Sequence, residues 1–272
     1  MPLSERQLVA FADKHAWQVP FDTSPRHLAG PGDARHVTHA LAAVGWNVLS
    51  DPLGAEIVLR SPDHRHRLQF DPQSRSGAWW RLRAQPTDTE VGWYAEFGEL
   101  VPAEVLAGFT DALITAPSRQ VDPWQPVTSA GWYRDSESTA RSPDAMCHIE
   151  RPASELRYQP YWRVEAREPG HRQFSGSRIW HAYFDEHAPA HLVGSFLTAL
   201  VDPRPLQRGT SDRTGHYSAV QEPSPHSPQQ IVDAHTQRLK SLRARSRAAR
   251  RQQTTPATTP AKGGPAQPAP RR

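Results

Sequence analysis

The chain has 272 residues, and none of its segments approaches the roughly 20 consecutive apolar residues that a membrane-spanning helix needs. A single cysteine, Cys147, excludes an internal disulfide and a cysteine-based zinc finger. The formal net charge of +4 is modest. The first residues, MPLSERQLVAF, carry Glu5 and Arg6 before any long apolar run and make a poor signal peptide, so a cytoplasmic protein is expected.

The charge is unevenly distributed along the chain. Residues 238–272 carry ten Lys and Arg and no acidic residue, whereas residues 1–237 carry the other 22 Lys and Arg against all 28 Asp and Glu. The body is therefore formally −6 and the C-terminal segment +10. Excess acid disfavours a polyanion as a partner of the body, while the C-terminal segment favours one.

Two helices are predicted before the first strand. Ser4 and Gln7 have the spacing of a capping box at the start of a short amphipathic helix. A second helix is expected to begin with Asp33 as its N-cap and to stop at Gly45. Residues 1–32 are therefore interpreted as an N-terminal helix followed by a connector.

After the second helix the pattern changes to an alternation of period two, which is typical of strands. SPDH at residues 61–64 predicts a hairpin turn, and RSPD at residues 141–144 predicts the same turn further along. The segments AWWRLRA and YWRVEA each alternate across a strand. A further strand follows in each half, and then a helix that starts near Pro102 or Pro189.

The chain contains an internal repeat. The segment WYAEFGELVPAEVLAGFTDAL shares nine of 21 positions with WHAYFDEHAPAHLVGSFLTAL, without a gap. We therefore predict an α+β fold with two tandem repeats, residues 33–116 and 123–203, each an antiparallel sheet of about four strands closed by a helix. Phe109 and Phe196 are expected to occupy equivalent buried positions.

The segment beyond the second repeat is rich in Pro, Gly and polar residues and is interpreted as a connector over residues 204–226. Ser227 and Gln230 predict the start of a basic helix over residues 227–252, and residues 253–272 are expected to be disordered. The end of this helix offers candidate contacts with a polyanion, which are Arg243, Arg245, Arg247, Arg250 and Arg251.

Several long strings resemble the actinomycete family known as domain of unknown function 317. They include HLAGPGDARHVTHALAAVGW, SPDHRHRLQFDPQSR, GWYAEFGELVPAEVL and, in the second copy, SPDAMCHIE. The resemblance covers roughly residues 25–235 and implies two copies of the domain in tandem. Because the family has no assigned activity, the resemblance implies no catalytic residue.

The second copy provides a counterpart for each reactive side chain. Cys147 aligns with Leu68 and is interpreted as a small buried apolar residue rather than a nucleophile. His187 and His191 are four residues apart, as in helical metal sites. Pro189 lies between them, however, and places the first histidine outside the predicted helix, which disfavours a metal there.

Two other histidine pairs, His64 with His66 and His36 with His39, have no evident third ligand and are interpreted as solvated side chains. The sequence contains no diagnostic pair of carboxylates, no Gly-rich phosphate loop and no nucleophile motif. No catalytic residue, cofactor or metal is therefore expected, and the protein is predicted not to be an enzyme.

The alternation also defines the sheet face that points away from the covering helix. The candidate interaction face consists of Trp79, Arg81, Tyr94, Tyr161, Arg163, His181 and Tyr183. Trp, Tyr and Arg are enriched at the centres of protein interfaces. These side chains either pack inside the chain, bind a protein segment, or offer rings for base stacking.

The leading hypothesis is a non-enzymatic binding or adaptor protein with an unknown protein partner. One alternative is a nucleic-acid-associated protein that uses its basic C-terminal tail. Another is an unrecognised hydrolase that gathers His and carboxylate groups in a pocket between the repeats. No membrane partner is expected.

Overall fold

The computed structural model describes residues 3–51, 53–115, 122–151, 162–170 and 176–254. Its helices are α1 (Glu5–Ala16), α2 (Arg35–Ala43), α3 (Ala103–Ile114), α4 (Trp124–Ser129), α5 (Ala190–Val201) and α6 (Pro228–Thr254), with a short 3-10 helix over Arg26–Leu28. In this part of the chain, no helix is both long enough and apolar enough to cross a bilayer.

The strands belong to two antiparallel sheets, so the α+β class is confirmed. In chain order they are β1 (Pro20–Ser24), β2 (Asn47–Val48), β3 (Ile57–Arg60), β4 (His66–Phe70), β5 (Ala78–Ala84), β6 (Trp93–Gly98), β7 (Tyr133–Arg134), β8 (Thr139–Arg141), β9 (Cys147–Glu150), β10 (Trp162–Arg167), β11 (Arg178–Phe184), β12 (Leu206–Gly209) and β13 (Val220–Pro223).

The larger sheet has ten strands in the order β2-β3-β4-β5-β6-β11-β10-β9-β8-β7. Each repeat contributes five strands, rather than about four, and the two sets join edge to edge. β6 pairs with β11 so that Glu96 lies opposite Tyr183, its own counterpart in the other repeat. A local two-fold axis therefore passes through this residue pair, and the two repeats share one sheet.

The helices before the two sets of strands end in the same way. Gly45 follows α2 with φ of 97°, and Gly131 follows α4 with φ of 75°. After each glycine, the backbone N–H of the next residue, Trp46 or Trp132, donates to a carbonyl one turn back, in a Schellman motif. α2 begins at Arg35, so Asp33 lies one residue before the N-cap and not at it as predicted.

Four phenylalanines form the centre of the core at the two-fold axis. Phe97 and Phe184 point from the sheet, and Phe109 and Phe196 point from α3 and α5, with ring centroids 5.4–5.6 Å apart. All four side chains are fully buried. α3 packs closely on α5 because Gly108 has no side chain: a Cβ there would lie 2.6 Å from Ala199 Cβ.

A smaller sheet of three strands, in the order β12-β1-β13, combines residues from both ends of the chain. Two of its strands lie within the predicted connector over residues 204–226, where the sequence shows no periodic signal. The capped helix α6 packs on α1 and α2. Ser227 and Gln230 form the predicted capping box, and Leu239 and Leu242 are buried in the core.

Candidate functional site

The large sheet has one face covered by helices and one outer face, which we define as the face that carries Arg81, Glu96 and Tyr183. Because side chains alternate along a strand, these three point away from the face that carries the buried Leu82, Ala95 and Ala182. Five of the predicted face residues, Arg81, Tyr94, Arg163, His181 and Tyr183, lie on the adjacent strands β5, β6, β11 and β10. The structure thus brings the two predicted halves of the face together.

The other two predicted residues are Trp79 and Tyr161. Trp79 lies at the start of β5, half-buried, with its ring 6.1 Å from that of Phe70. Tyr161 lies outside the described residues. Among the described residues, the outer aromatic side chains of the two repeats lie side by side on one continuous sheet and do not pack against each other as two opposed faces.

The first-repeat half of the outer face is rich in arginine. Arg67 and Arg83 are exposed, and Arg81 is half-buried. Arg81 donates to Ser74 Oγ at 2.9 Å, and the guanidinium of Arg83 lies 5.1 Å from the centre of the Tyr94 ring. Among the described residues, none of the three arginines forms an ion pair with a carboxylate. This half therefore carries three arginines without a carboxylate in direct contact, and the nearest acidic neighbour across the strands is Glu96, opposite Arg81.

At the two-fold axis, a carboxylate is held by groups from both repeats. The Tyr94 hydroxyl donates to Glu96 Oε2 at 2.7 Å, and His181 Nε2 lies 3.5 Å from Glu96 Oε1. The hydrogen bond from His181 lowers the pKa of Glu96, with help from Tyr94. Burial and the contact with Glu96 raise the pKa of Tyr94 to about 12. Glu96 is thus ionised and Tyr94 protonated at neutral pH.

The second-repeat half of the outer face neutralises its own arginines. Glu165 is buried and accepts hydrogen bonds from the Tyr183 hydroxyl and from Arg167, whose Nη2 lies at 2.6 Å. Arg178 Nη1 donates to the Tyr183 hydroxyl at 2.7 Å. Burial opposes ionisation of Glu165, but the bonds from Tyr183 and Arg167 lower its pKa.

The third arginine of this half, Arg163, also has an acidic partner, since its Nη1 lies 3.4 Å from Glu150 Oε2. The sequence prediction missed several outer residues, which are Arg67, Arg83, Glu150, Glu165, Arg167 and Arg178. For Arg83 and Glu165 the signal was available, because both belong to the alternating segments that identified Arg81 and Arg163. The charges of Arg83 and Glu165 indicate a difference between the repeats only when the strands of the two repeats are aligned.

The arginines predicted to contact a polyanion lie on α6 beyond the buried Leu242. Arg245, Arg247 and Arg251 are exposed, and Arg243 is half-buried. Arg250 has a structural contact, because its Nη2 donates to Val44 O at the end of α2, at 3.1 Å. Its guanidinium is therefore partly committed to holding α6 against the first repeat.

The isolated cysteine is buried, but its counterpart differs from the predicted one. Ser142 N donates to Cys147 O, and Cys147 N donates to Ser142 Oγ. Ser61 and His66 form the same two bonds in the first repeat. Cys147 therefore corresponds to His66 and not to Leu68. Burial raises the pKa of the thiol well above its ordinary value, which disfavours a thiolate nucleophile.

The interpretation of the histidine pairs as solvated is only partly correct. His64 is exposed in its turn, but His66 is half-buried, with its ring 5.9 Å from that of Trp93. His39 is buried on α2, and its Nδ1 lies 3.3 Å from Nε2 of His235 on α6. His36 lies beside this pair with its ring 5.3 Å from that of His235.

His187 and His191 lie in different elements. His187 lies before the start of α5 and is exposed, whereas His191 lies within the helix. Across the described ranges, no group of three His, Cys, Asp or Glu side chains is arranged to hold a metal ion.

Comparison with known proteins identifies a family but no activity. Residues 60–119 and 141–206 both match the model of one protein family, SPDY, described as Domain of unknown function (DUF317). The first match contains β4 to α3 and the second contains β9 to α5, so both cover equivalent elements. No curated protein and no solved structure matches the chain.

Proposed function

The chain carries two tandem copies of domain of unknown function 317, and we propose that together they form one docking surface of a non-enzymatic, cytoplasmic binding protein. The proposed partner is an acidic protein segment that lies on the outer face. The observation that supports this proposal is the group of Arg67, Arg81 and Arg83, which are on the outer face and have no carboxylate partner among the described residues.

The neighbouring groups support a protein segment over a nucleic acid on this face. Aromatic rings next to arginines are typical of protein interface centres. The ionised Glu96 lies at the middle of the face, where it would repel a phosphate backbone that crosses the sheet. A peptide can place acidic side chains on the arginines of the first repeat and uncharged residues over Glu96.

The arrangement also supports binding rather than acid–base chemistry. On the outer face, Glu96 and Glu165 each already accept a tyrosine hydroxyl and lie near a cationic or imidazole group. These hydrogen-bonded pairs fix the side chains in place before binding, and so reduce the conformational entropy that is lost when a partner binds.

The test uses defined probes and the full chain. We would measure by fluorescence anisotropy the binding of a Glu-rich peptide, its Gln-for-Glu counterpart and a single-stranded DNA of similar length. The Glu-rich peptide is expected to bind at least about tenfold more tightly than the Gln peptide, because charge-assisted contacts are lost in the latter. The triple variant Arg67→Gln, Arg81→Gln, Arg83→Gln is expected to abolish that preference.

A matched control carries the same change of charge elsewhere, in Arg245→Gln, Arg247→Gln, Arg251→Gln on α6. This control is expected to retain the preference for the Glu-rich peptide. Equal affinity for the two peptides would overturn the proposal. Tighter binding of the DNA, lost in the outer-face variant, would assign this face to a nucleic acid instead.

A second candidate function is supported by the exposed arginines of α6. Phosphate contacts through Arg245, Arg247 and Arg251 predict binding of duplex DNA with little sequence preference and a log–log salt slope of about −0.9 for each phosphate neutralised. The α6 control variant is expected to lose this binding. Truncation before Arg238 is a poor test, because it removes the buried Leu239 and Leu242.

A further inference from the structure

One row of side chains crosses the first-repeat half of the outer face at right angles to its strands. Arg60 on β3 lies opposite Arg67 on β4, which in turn lies opposite Arg83 on β5. The next residue of the row is Tyr94 on β6. Because residues directly opposite each other on antiparallel strands share a face, Arg60 belongs to the outer face as well. We define Arg60, Arg67 and Arg83 as the arginine row.

The arginine row places three like charges on adjacent strands. Neighbouring strands lie about 4.8 Å apart, so the row spans about 10 Å. Arg67 and Arg83 are exposed and Arg60 is half-buried. Among the described residues, no carboxylate is in contact with any of the three. Like charges directly opposite each other destabilise a sheet, so the row is unfavourable by itself and becomes favourable when an anion lies across it.

The same row in the second repeat is neutralised. It consists of Arg141, His148 and Glu165, which lie opposite one another on β8, β9 and β10. Arg141 has an acidic partner, since its Nε lies 3.0 Å from Asp135 Oδ1. The residue that corresponds to Asp135 in the first repeat is Leu49, which has no charge. The second repeat forms the same sheet without a row of arginines, so packing alone does not explain the row in the first repeat.

Tyr94 holds one end of the arginine row in a position that leaves it able to bind. The guanidinium of Arg83 lies over the Tyr94 ring, 5.1 Å from its centre. A guanidinium that stacks on a ring uses its flat face, so the N–H donors at its edge remain available. The Tyr94 hydroxyl is itself held, because it donates to Glu96 Oε2 at 2.7 Å. Arg83 is therefore oriented before a ligand arrives.

We propose that the arginine row binds a phosphorylated serine or threonine side chain of the partner segment. This inference rests on the proposed function, because it names an acidic group that the docking surface takes. A phosphorylated side chain carries a charge of about −1.5 to −2 at neutral pH and three acceptor oxygens. Arginine matches the geometry of phosphate oxygens, and clusters of arginines recognise phosphorylated motifs. Three guanidinium groups within about 10 Å can share the oxygens of one phosphoryl group, whereas a glutamate offers them only two oxygens and one charge.

The position of the row favours a single phosphoryl group over a nucleic-acid strand. Glu96 lies on the neighbouring outer row, opposite Arg81, and is ionised. A phosphorylated side chain can bind the arginine row without crossing Glu96. A nucleic-acid strand carries further phosphates, and those that continue across the sheet would meet this carboxylate.

The experiment uses the full chain and three peptides of one Glu-rich sequence, in which the central residue is phosphoserine, glutamate or serine. Fluorescence anisotropy is expected to show that the phosphoserine peptide binds at least about tenfold more tightly than the glutamate peptide. Preference for the Glu-rich peptide over its Gln-for-Glu counterpart, without a further gain from phosphoserine, would overturn this inference and leave the proposed function standing. A gain from phosphoserine with equal affinities for the Glu-rich and Gln peptides would support the arginine row and overturn the wider docking surface.

The decisive variant is Arg60→Gln, because Arg60 is outside the group of arginines that supports the proposed function. Arg141→Gln, at the same position of the second repeat, is the matched control. The gain from phosphoserine is expected to fall by about fivefold or more in Arg60→Gln and to be kept in Arg141→Gln, with far-UV circular dichroism unchanged in both. An unchanged gain in Arg60→Gln, or an equal loss in Arg141→Gln, would overturn the proposal. A single-stranded DNA of similar length that binds more tightly than the phosphoserine peptide, and weakens in Arg60→Gln, would assign the row to a nucleic acid instead.

Discussion

The two repeats share a core but differ in the charges of their outer faces. At the axis, Phe97 and Phe109 of the first repeat make the same contacts as Phe184 and Phe196 of the second. On the outer face, strand alignment places Arg83 opposite Tyr94 in the first repeat and Glu165 opposite His181 in the second. Packing restrains the buried positions, while the outer positions are free to diverge, so the differences between the copies carry the functional information.

Two exchanges account for much of this difference in charge. Glu165 stands where the first repeat has Arg83, and Glu150 stands where it has Gln69. The two carboxylates neutralise the second-repeat arginines, and the first repeat has no equivalent acids at these places. The copy that keeps unpaired arginines is therefore the one expected to attract an acidic partner.

The shared core predicts the largest effect. Phe109→Ala and Phe196→Ala should each destabilise the protein by about 3–5 kcal/mol, because each removes a large ring from one packed cluster. Since the four rings touch, the two effects should not be additive: the free energy of unfolding lost in the double variant should differ from the sum of the two single losses. Denaturant unfolding, followed by tryptophan fluorescence, measures these free energies. Strictly additive losses, with two separate unfolding transitions, would show that the repeats are independent units.

The histidines packed beside the first repeat have no equivalent on the second and should make stability depend on pH. Burial lowers the pKa of His39 to about 4 from 6.5. Because the unfolded chain takes up this proton more readily, stability is complete above about pH 6.5 and is lost as the pH falls toward 4, by about 3 kcal/mol from His39 alone. Urea unfolding at a series of pH values measures the loss.

The control for this pH dependence is the exposed His64→Gln, which should leave the slope unchanged, whereas His39→Gln should flatten it. An unchanged slope in His39→Gln would contradict the assignment of the effect to the buried cluster.

A smaller effect is expected where α3 and α5 meet. Gly108→Ala should destabilise the protein by about 1–3 kcal/mol, because the new Cβ would lie 2.6 Å from Ala199 Cβ. The counterpart of Gly108 is Ser195, and Ser195→Ala removes only a hydroxyl that donates to His191 O, so it should cost less. Thermal unfolding of the two variants compares the same site in both copies. Equal losses of stability would show that the helices approach each other no more closely at Gly108 than at Ser195.

The smallest effect on stability is expected from making the outer faces alike. Arg83→Glu should change the free energy of unfolding by less than about 1 kcal/mol, because the side chain is exposed and has no carboxylate partner among the described residues. The same change should weaken the preference for the Glu-rich peptide, because two of the three arginines remain. Anisotropy titrations check this, and an undiminished preference in Arg83→Glu would remove Arg83 from the proposed docking surface.

The sequence predicted the strands well where period two was clear. In AWWRLRA, alternation correctly separated the buried Trp80 and Leu82 from the outer Arg81. It could not fix the alignment of Cys147, because a shift of two residues along a strand keeps the same side chains on the same face. The structural hydrogen bonds were needed to match Cys147 with His66.

Longer-range features had no sequence signal. The union of the repeats depends on backbone pairing between β6 and β11, which any alternating edge strands can form. The cluster of His15, His36 and His235 combines residues that are separated by up to 220 positions and come together only when α6 packs on α1 and α2. Helical spacing places His15 and His235 on the apolar faces of α1 and α6, but nothing in the sequence indicates that these two faces meet.

The axis through Glu96 and Tyr183 has an evolutionary consequence. A shorter ancestor with a single copy of the domain would leave the β6 edge unpaired, and two such chains could complete the sheet as a symmetric homodimer. In that dimer, the residue on the axis must face itself, so a glutamate there would oppose a second glutamate at the close spacing of paired strands. Fusion of two copies into one chain removes the requirement for identical residues on the axis, because the two positions are then encoded separately and can mutate independently. The tandem chain can therefore keep Glu96 and place Tyr183 opposite it, a combination that a symmetric homodimer cannot encode.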